Sequence, residues 1–81
     1  MEWLGPEPIY RQLAALLIER IESGTYRPGY PIPSTAALCD EFDISHKTVR
    51  AATAILVERG LLVGAPGRGM FVVDQDAPPA E

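Results

Sequence analysis

Pro33-Ser34-Thr35-Ala36-Ala37-Leu38-Cys39-Asp40-Glu41-Phe42, Asp43-Ile44-Ser45 and His46-Lys47-Thr48-Val49-Arg50-Ala51-Ala52-Thr53-Ala54-Ile55-Leu56-Val57-Glu58-Arg59-Gly60 follow one another without interruption. Ser34, preceded by a proline, is a good N-cap, so a helix is expected over about Thr35 to Phe42. Asp43 falls in the turn, and Asp is one of the few residues that tolerate the left-handed conformation such a turn often needs. Ser45 is the next N-cap, and a further helix should run from His46 to Arg59, closed by Gly60. At helical spacing this last helix turns Val49, Ala52, Thr53 and Leu56 inward. His46, Lys47, Arg50, Ala51 and Ala54 are left on the other surface, with Val57 also facing out.

Toward the C-terminus, Leu61 to Val63 and Met70 to Val73 read as two short strands joined by a glycine-rich loop, Gly64 to Gly69. Toward the N-terminus, a first helix should begin near Glu7-Pro8 and run to Ser23, since proline is favoured in a first turn. Ile9, Leu13, Leu16, Leu17 and Ile21 make its apolar stripe. Gly24 ends it, and Thr25 to Pro33 is turn-like, with Tyr30 and Ile32 available for a short edge strand. Residues 1–7 read as an N-terminal arm whose Trp3-Leu4 pair wants a cover, 8–73 as one domain, and 74–81 as an acidic, proline-containing tail. The expected fold is mainly α with a small β-hairpin: three helices plus a wing, a winged helix-turn-helix. Two helices joined by a tight turn, with a hairpin behind them, suit entry into a DNA groove.

The net charge of −4 argues at first against such a partner, but its distribution reverses that impression. From Ile44 to Val73 stand Lys47, Arg50, Arg59 and Arg68 against the single acid Glu58, a net of +3. The remainder holds three cations and ten acids, a net of −7. A local basic face can bind phosphate while an acidic body limits non-specific affinity. At 81 residues and 47% hydrophobic, the chain has room for one domain with a modest core. One cysteine excludes an internal disulfide and a thiolate zinc cluster. No apolar run approaches the roughly 20 residues of a membrane span and no signal peptide opens the chain, so a cytoplasmic setting is expected.

Several stretches together resemble the N-terminal winged helix-turn-helix domain of GntR-family bacterial transcription regulators. They are Pro8-Ile9-Tyr10, Gly24-Thr25-Tyr26-Arg27-Pro28-Gly29, Ile32-Pro33-Ser34, Ser45 through Arg50, Glu58-Arg59-Gly60-Leu61 and Gly67-Arg68-Gly69-Met70-Phe71-Val72. The resemblance implies duplex-DNA binding through Ser34, Ser45, His46, Lys47, Thr48, Arg50, Arg68 and Gly69. Ser45 would cap the recognition helix and meet a phosphate, as would Thr48. Arg50 would address guanine bidentately or clamp a phosphate. Arg68, between two glycines, would take the wing to the backbone or the minor groove. The chain also departs from the family pattern. Thr35-Ala36 stands where Glu-Arg is usual, His46 and Ala51 where arginines are usual, and Ala65 where a basic residue often enters the wing. Fewer cations should lower both affinity and its salt dependence.

Regulators of this architecture generally need two copies to read paired half-sites, which implies a homodimer or a dimer formed on DNA. The family usually continues into an effector-binding domain, and this sequence stops at Glu81, so a stand-alone reader is expected. The alternative is a protein-interaction module on a winged-helix scaffold, with weakened DNA binding and a partner chain. No enzyme reading gathers support. Cys39 and His46 belong to different helices and lack an orienting third group, and an inward, inert thiol suits Cys39 better. Asp40, Glu41 and Asp43 read as a solvated helix end and turn. Gly64-x-x-Gly67-x-Gly69 precedes a strand and opens no helix, unlike a phosphate loop. No metal or organic cofactor is implied.

Overall fold

The computed structural model describes residues 5–65 and 67–73. Trp3-Leu4 and the 74–81 tail lie outside the described residues. Helix α1 spans Ile9–Glu22, α2 Thr35–Phe42 and α3 His46–Glu58, followed by strands β1 (Leu62–Ala65) and β2 (Gly69–Val72). The three helices plus a two-stranded antiparallel wing agree with the winged helix-turn-helix expected from the sequence.

Both serine caps form as read. Ser34 Oγ accepts the Ala37 N–H (3.1 Å) and Ser45 Oγ accepts the Thr48 N–H (3.2 Å), each satisfying a helix-terminal donor that would otherwise lack a partner. Between the two helices Asp43 adopts the left-handed region (φ 55°, ψ 53°), and the N–H groups of Asp43 and Ile44 both reach the Cys39 carbonyl. Among the described residues it is the one non-glycine with positive φ, so this turn carries a backbone cost that its side-chain type keeps small. The chain therefore passes from α2 to α3 in three residues, and α3 packs against both α1 and α2.

The core sits where those helices meet. Leu13 and Leu17 of α1, Leu38 and Phe42 of α2, and Val49, Ala52 and Leu56 of α3 are buried, and Leu62 and Val72 close it from the hairpin. Full burial of one such aliphatic side chain is worth about 1.5–3 kcal/mol, so truncating Leu56 or Leu17 would threaten a domain of this size. Thr53, the buried polar member, donates its hydroxyl to the Arg50 carbonyl (3.1 Å) and so leaves no unmet group.

Five expectations need correction. Helix α3 ends at Glu58, one residue short of the expected Arg59, which is its C-cap. Ile9, placed on the α1 stripe, is 39% exposed, because it is the first residue of the helix and overhangs the core; Ala14 is buried in its stead. The first helix begins at Ile9, with Pro8 as its cap residue, and stops one residue before Ser23. Cys39 is half-buried against the core edge rather than enclosed. The strands reach farther into the glycine-rich segment than read: Ala65 pairs with Gly69, in a register that runs to Leu62 with Val72. The edge segment does form. Pro31 bridges to Phe71, the Ile32 N–H donates to the Met70 carbonyl (3.0 Å), and the Val72 N–H donates to the Tyr30 carbonyl (3.0 Å). β2 is thus bonded along both of its edges.

Candidate nucleic-acid interface

Helix α3 separates its residues cleanly by face. Val49, Ala52 and Leu56 have no exposed surface, whereas His46, Lys47 and Arg50 are exposed. Residues three and four apart share a helix face, so Arg50 neighbours both His46 and Lys47. All three occupy the first turns of α3, where the unsatisfied N–H groups and the helix dipole add positive potential. Among the described residues, the side chains of Lys47 and Arg50 have no hydrogen bond or ion pair, and the one salt bridge lies elsewhere.

The serines and Thr48 are more constrained. The hydroxyls of Ser45 and Thr48 lie 3.0 Å apart and share a hydrogen bond at the start of α3. Ser45 Oγ also accepts the Thr48 N–H. Ser34 is exposed and caps α2. Each cap uses a lone pair of the serine oxygen, so the Ser34 O–H still has its proton to donate outward.

At the wing, the Arg68 N–H donates to the Ala65 carbonyl (2.9 Å), closing a four-residue turn. Gly67 has φ 75° and Gly69 φ 95°, values that disfavour any L side chain. Open space surrounds both positions, so it is conformation and not crowding that requires glycine there. Arg68 stands exposed between them, with no partner among the described residues. The sequence-predicted set thus falls into a recognition-helix group (Ser45, His46, Lys47, Thr48 and Arg50), a wing group (Arg68 and Gly69), and Ser34 at the start of α2.

Sequence reasoning missed one charged cluster. Arg20, in the last turn of α1, makes a two-pronged pair with Glu41 of α2 (2.6 and 3.2 Å) and donates to the Tyr26 hydroxyl (2.6 Å). Its guanidinium also lies over the rings of Tyr26 and Phe42, 5.6 and 5.2 Å from their centres. Glu41 raises the pKa of this guanidinium well above its ordinary value, against the opposing effect of burial. In return, Arg20 holds the Glu41 carboxyl below the usual carboxylate range. A cation near a helix C-terminus was the sole local hint. No group of three or more His, Cys, Asp or Glu side chains among the described residues is placed to hold a metal ion.

A helix-turn-helix whose second helix bares a basic face, backed by a glycine-tipped wing, defines a winged helix-turn-helix domain of the nucleic-acid-reading kind. The chain belongs to the GntR family: the model for bacterial regulatory proteins of the gntR family matches residues 9–72. It is 39% identical over 72 residues to the mannosyl-D-glycerate transport/metabolism system repressor MngR of Escherichia coli (strain K12), covering 89% of this chain and 30% of that protein. It is 43% identical over 68 residues to the HTH-type transcriptional repressor NagR of Bacillus subtilis (strain 168), covering 84% and 28%. The chain therefore spans less than a third of the length of these curated relatives. Among solved structures, the AraR DBD in complex with operator ORX1 superposes with a TM-score of 0.83 at 32% identity, over 89% of this chain and 93% of that one. A GntR family transcriptional regulator from Listeria monocytogenes gives a TM-score of 0.83 at 25% identity, over 88% and 62%.

Proposed function

We propose that this chain binds duplex DNA sequence-specifically and regulates transcription, with α3 in the major groove and the 64–69 wing on adjacent backbone or minor groove. The observation that carries this reading is the state of its cations. Lys47, Arg50 and Arg68 are exposed and unpaired on the two elements that a winged helix-turn-helix presents to DNA. Arg50 reads a base edge or clamps a phosphate, and Lys47 and His46 flank it in the groove. Ser34 donates its hydroxyl to a phosphate, as does whichever of Ser45 and Thr48 keeps its proton out of their shared hydrogen bond, which fixes register without carrying sequence information. Arg68 reaches the flanking backbone, and Gly69 lets the wing backbone approach it closely.

The AraR relatives bound to their operators support this reading over the interaction-module alternative. Two copies bind together on paired half-sites, as a homodimer or by assembly on the DNA. The protein is a cytoplasmic regulator rather than an enzyme and uses no cofactor for this step. No helix among the described residues is long and apolar enough to cross a membrane.

Selection of binding sites from a random duplex pool, followed by titration at two salt concentrations, tests the proposal. A recovered consensus should bind about a thousandfold or more tighter than scrambled DNA, and its half-site spacing should report the number of copies. An absence of enrichment, with only weak salt-sensitive binding, would sink it.

A further inference from the structure

The exposed side of α3 changes chemistry along its length. Its first two turns carry His46, Lys47 and Arg50, and its last two carry Ala54 and Val57, all of them exposed. Val57 is 41% exposed and is the only large hydrophobic side chain of α3 left so open among the described residues. His46, Arg50, Ala54 and Val57 follow at spacings of four, four and three, so they share one helix face. A single exposed valine is ordinary on a protein surface. This one, with Ala54, continues the ridge of the unpaired cations assigned to DNA. Glu58, the one acid of α3, comes next and closes the ridge, because a carboxylate there repels phosphate.

Helix rise sets what the apolar pair can meet. Ala54 lies about 6 Å beyond Arg50 along the axis and Val57 about 10 Å beyond it. Base pairs stack about 3.4 Å apart. A helix laid along the major groove with Arg50 on one base therefore brings Ala54 and Val57 to bases about two and three steps away. Guanine, cytosine and adenine offer only polar groups at that edge, whereas thymine adds its C5-methyl. Alanine and valine have no donor or acceptor to give, so a polar edge facing them loses water without compensation. A methyl facing them is a favourable burial.

Resting on the DNA-reading role proposed above, we infer that Ala54 and Val57 recognise thymine in the operator through its C5-methyl group. The helix then reads two chemistries, polar groups with its N-terminal half and methyl groups with its C-terminal half. One buried methyl is worth about fourfold in affinity.

The duplex recovered by site selection carries the test. Deoxyuridine is substituted for thymidine one position at a time, which removes the C5-methyl and leaves the base pair intact. The unaltered protein should lose about fourfold in affinity at one or two positions of each half-site. Val57→Thr exchanges a methyl for a hydroxyl of similar size, and Ala54→Ser adds a hydroxyl, both at exposed positions. Each variant should bind the uracil duplex as the unaltered protein does, which certifies its fold, and should lose the preference for thymine at one position. An unaltered protein indifferent to uracil everywhere overturns the inference and leaves sequence-specific binding standing. A thymine preference that survives in both variants overturns it as well, since another side chain would then make the contact. So does an equal loss by Val57→Thr on both duplexes, which would place Val57 against a second copy. Failure to enrich any sequence would instead remove the DNA-reading role, and this inference with it.

Discussion

Arg20 and Arg50 are the same residue in opposite circumstances. Arg20, at the end of α1, spends its guanidinium on Glu41, on the Tyr26 hydroxyl and on two aromatic faces. Arg50, on the bare side of α3, is exposed and has no partner among the described residues. Arginine presents donors in a rigid fork and stays charged at any ordinary pH, so each site reveals what it was built to engage. Where the fork is filled from within, the residue builds the fold. Where the fork is empty on an exposed basic helix face, it is free for the contact proposed above. The same contrast explains how a chain of net charge −4 can address a polyanion: much of its acidic charge is on the body, and one carboxylate there is already neutralised by Arg20.

Substitutions at the two sites should break different properties. Arg50→Ala should cost about 1–3 kcal/mol in binding to the selected operator if it makes a base contact, with the thermal midpoint nearly unchanged. Titration of both proteins against the same duplex checks this, and a mutant that binds equally well would remove Arg50 from the contact. Arg20→Met should do the reverse. It strips a donor from the mostly buried Tyr26 and ends both ring contacts, for a loss of about 1–2 kcal/mol in urea denaturation. Operator affinity of the folded fraction should hold.

Two smaller effects sharpen the comparison. Lys47→Ala should lower the magnitude of the log–log salt slope of binding by about 1, the signature of one lost phosphate contact. Glu41 yields the smallest. Its carboxyl is held below the ordinary range by Arg20, so the ionised form favours the folded state. That contribution is fully present above the ordinary carboxyl pKa and is lost as pH falls through the lowered folded value. Both partners are solvent-accessible, which limits the effect to less than about 1 kcal/mol. Stability of the wild type and of Glu41→Gln, followed into acid, should converge at the low end.

What could be read from the sequence was local. Ser34, Asp43, Ser45 and Gly60 mark boundaries through their own conformational preferences, so α2 and the turn fell within the expected residues. The 3.6-residue period of α3 sorted Val49, Ala52, Thr53 and Leu56 from Lys47 and Arg50 with no knowledge of the partner helices. What escaped depends on residues far apart in the chain. Arg20 meets Glu41 across 21 positions, and the Tyr30–Ile32 segment meets β2 across about forty. Tyr30 and Ile32 were legible as strand formers, but the identity of their neighbour was not. For the candidate site, helix spacing placed the exposed cations on one face. Pairing is decided by the rest of the fold, so spacing alone could not show that they remain unpaired.

The edge bonding of β2 has a mechanical consequence. At its base the wing is clamped: Leu62 and Val72 are buried, Val72 exchanges hydrogen bonds with Gly29 and Tyr30, and the Val73 N–H reaches the Leu61 carbonyl. At its tip, Gly67 and Gly69 have open space around them. The hairpin is thus a cantilever, anchored at its root by hydrogen bonds and burial while its tip glycines stand clear of the body.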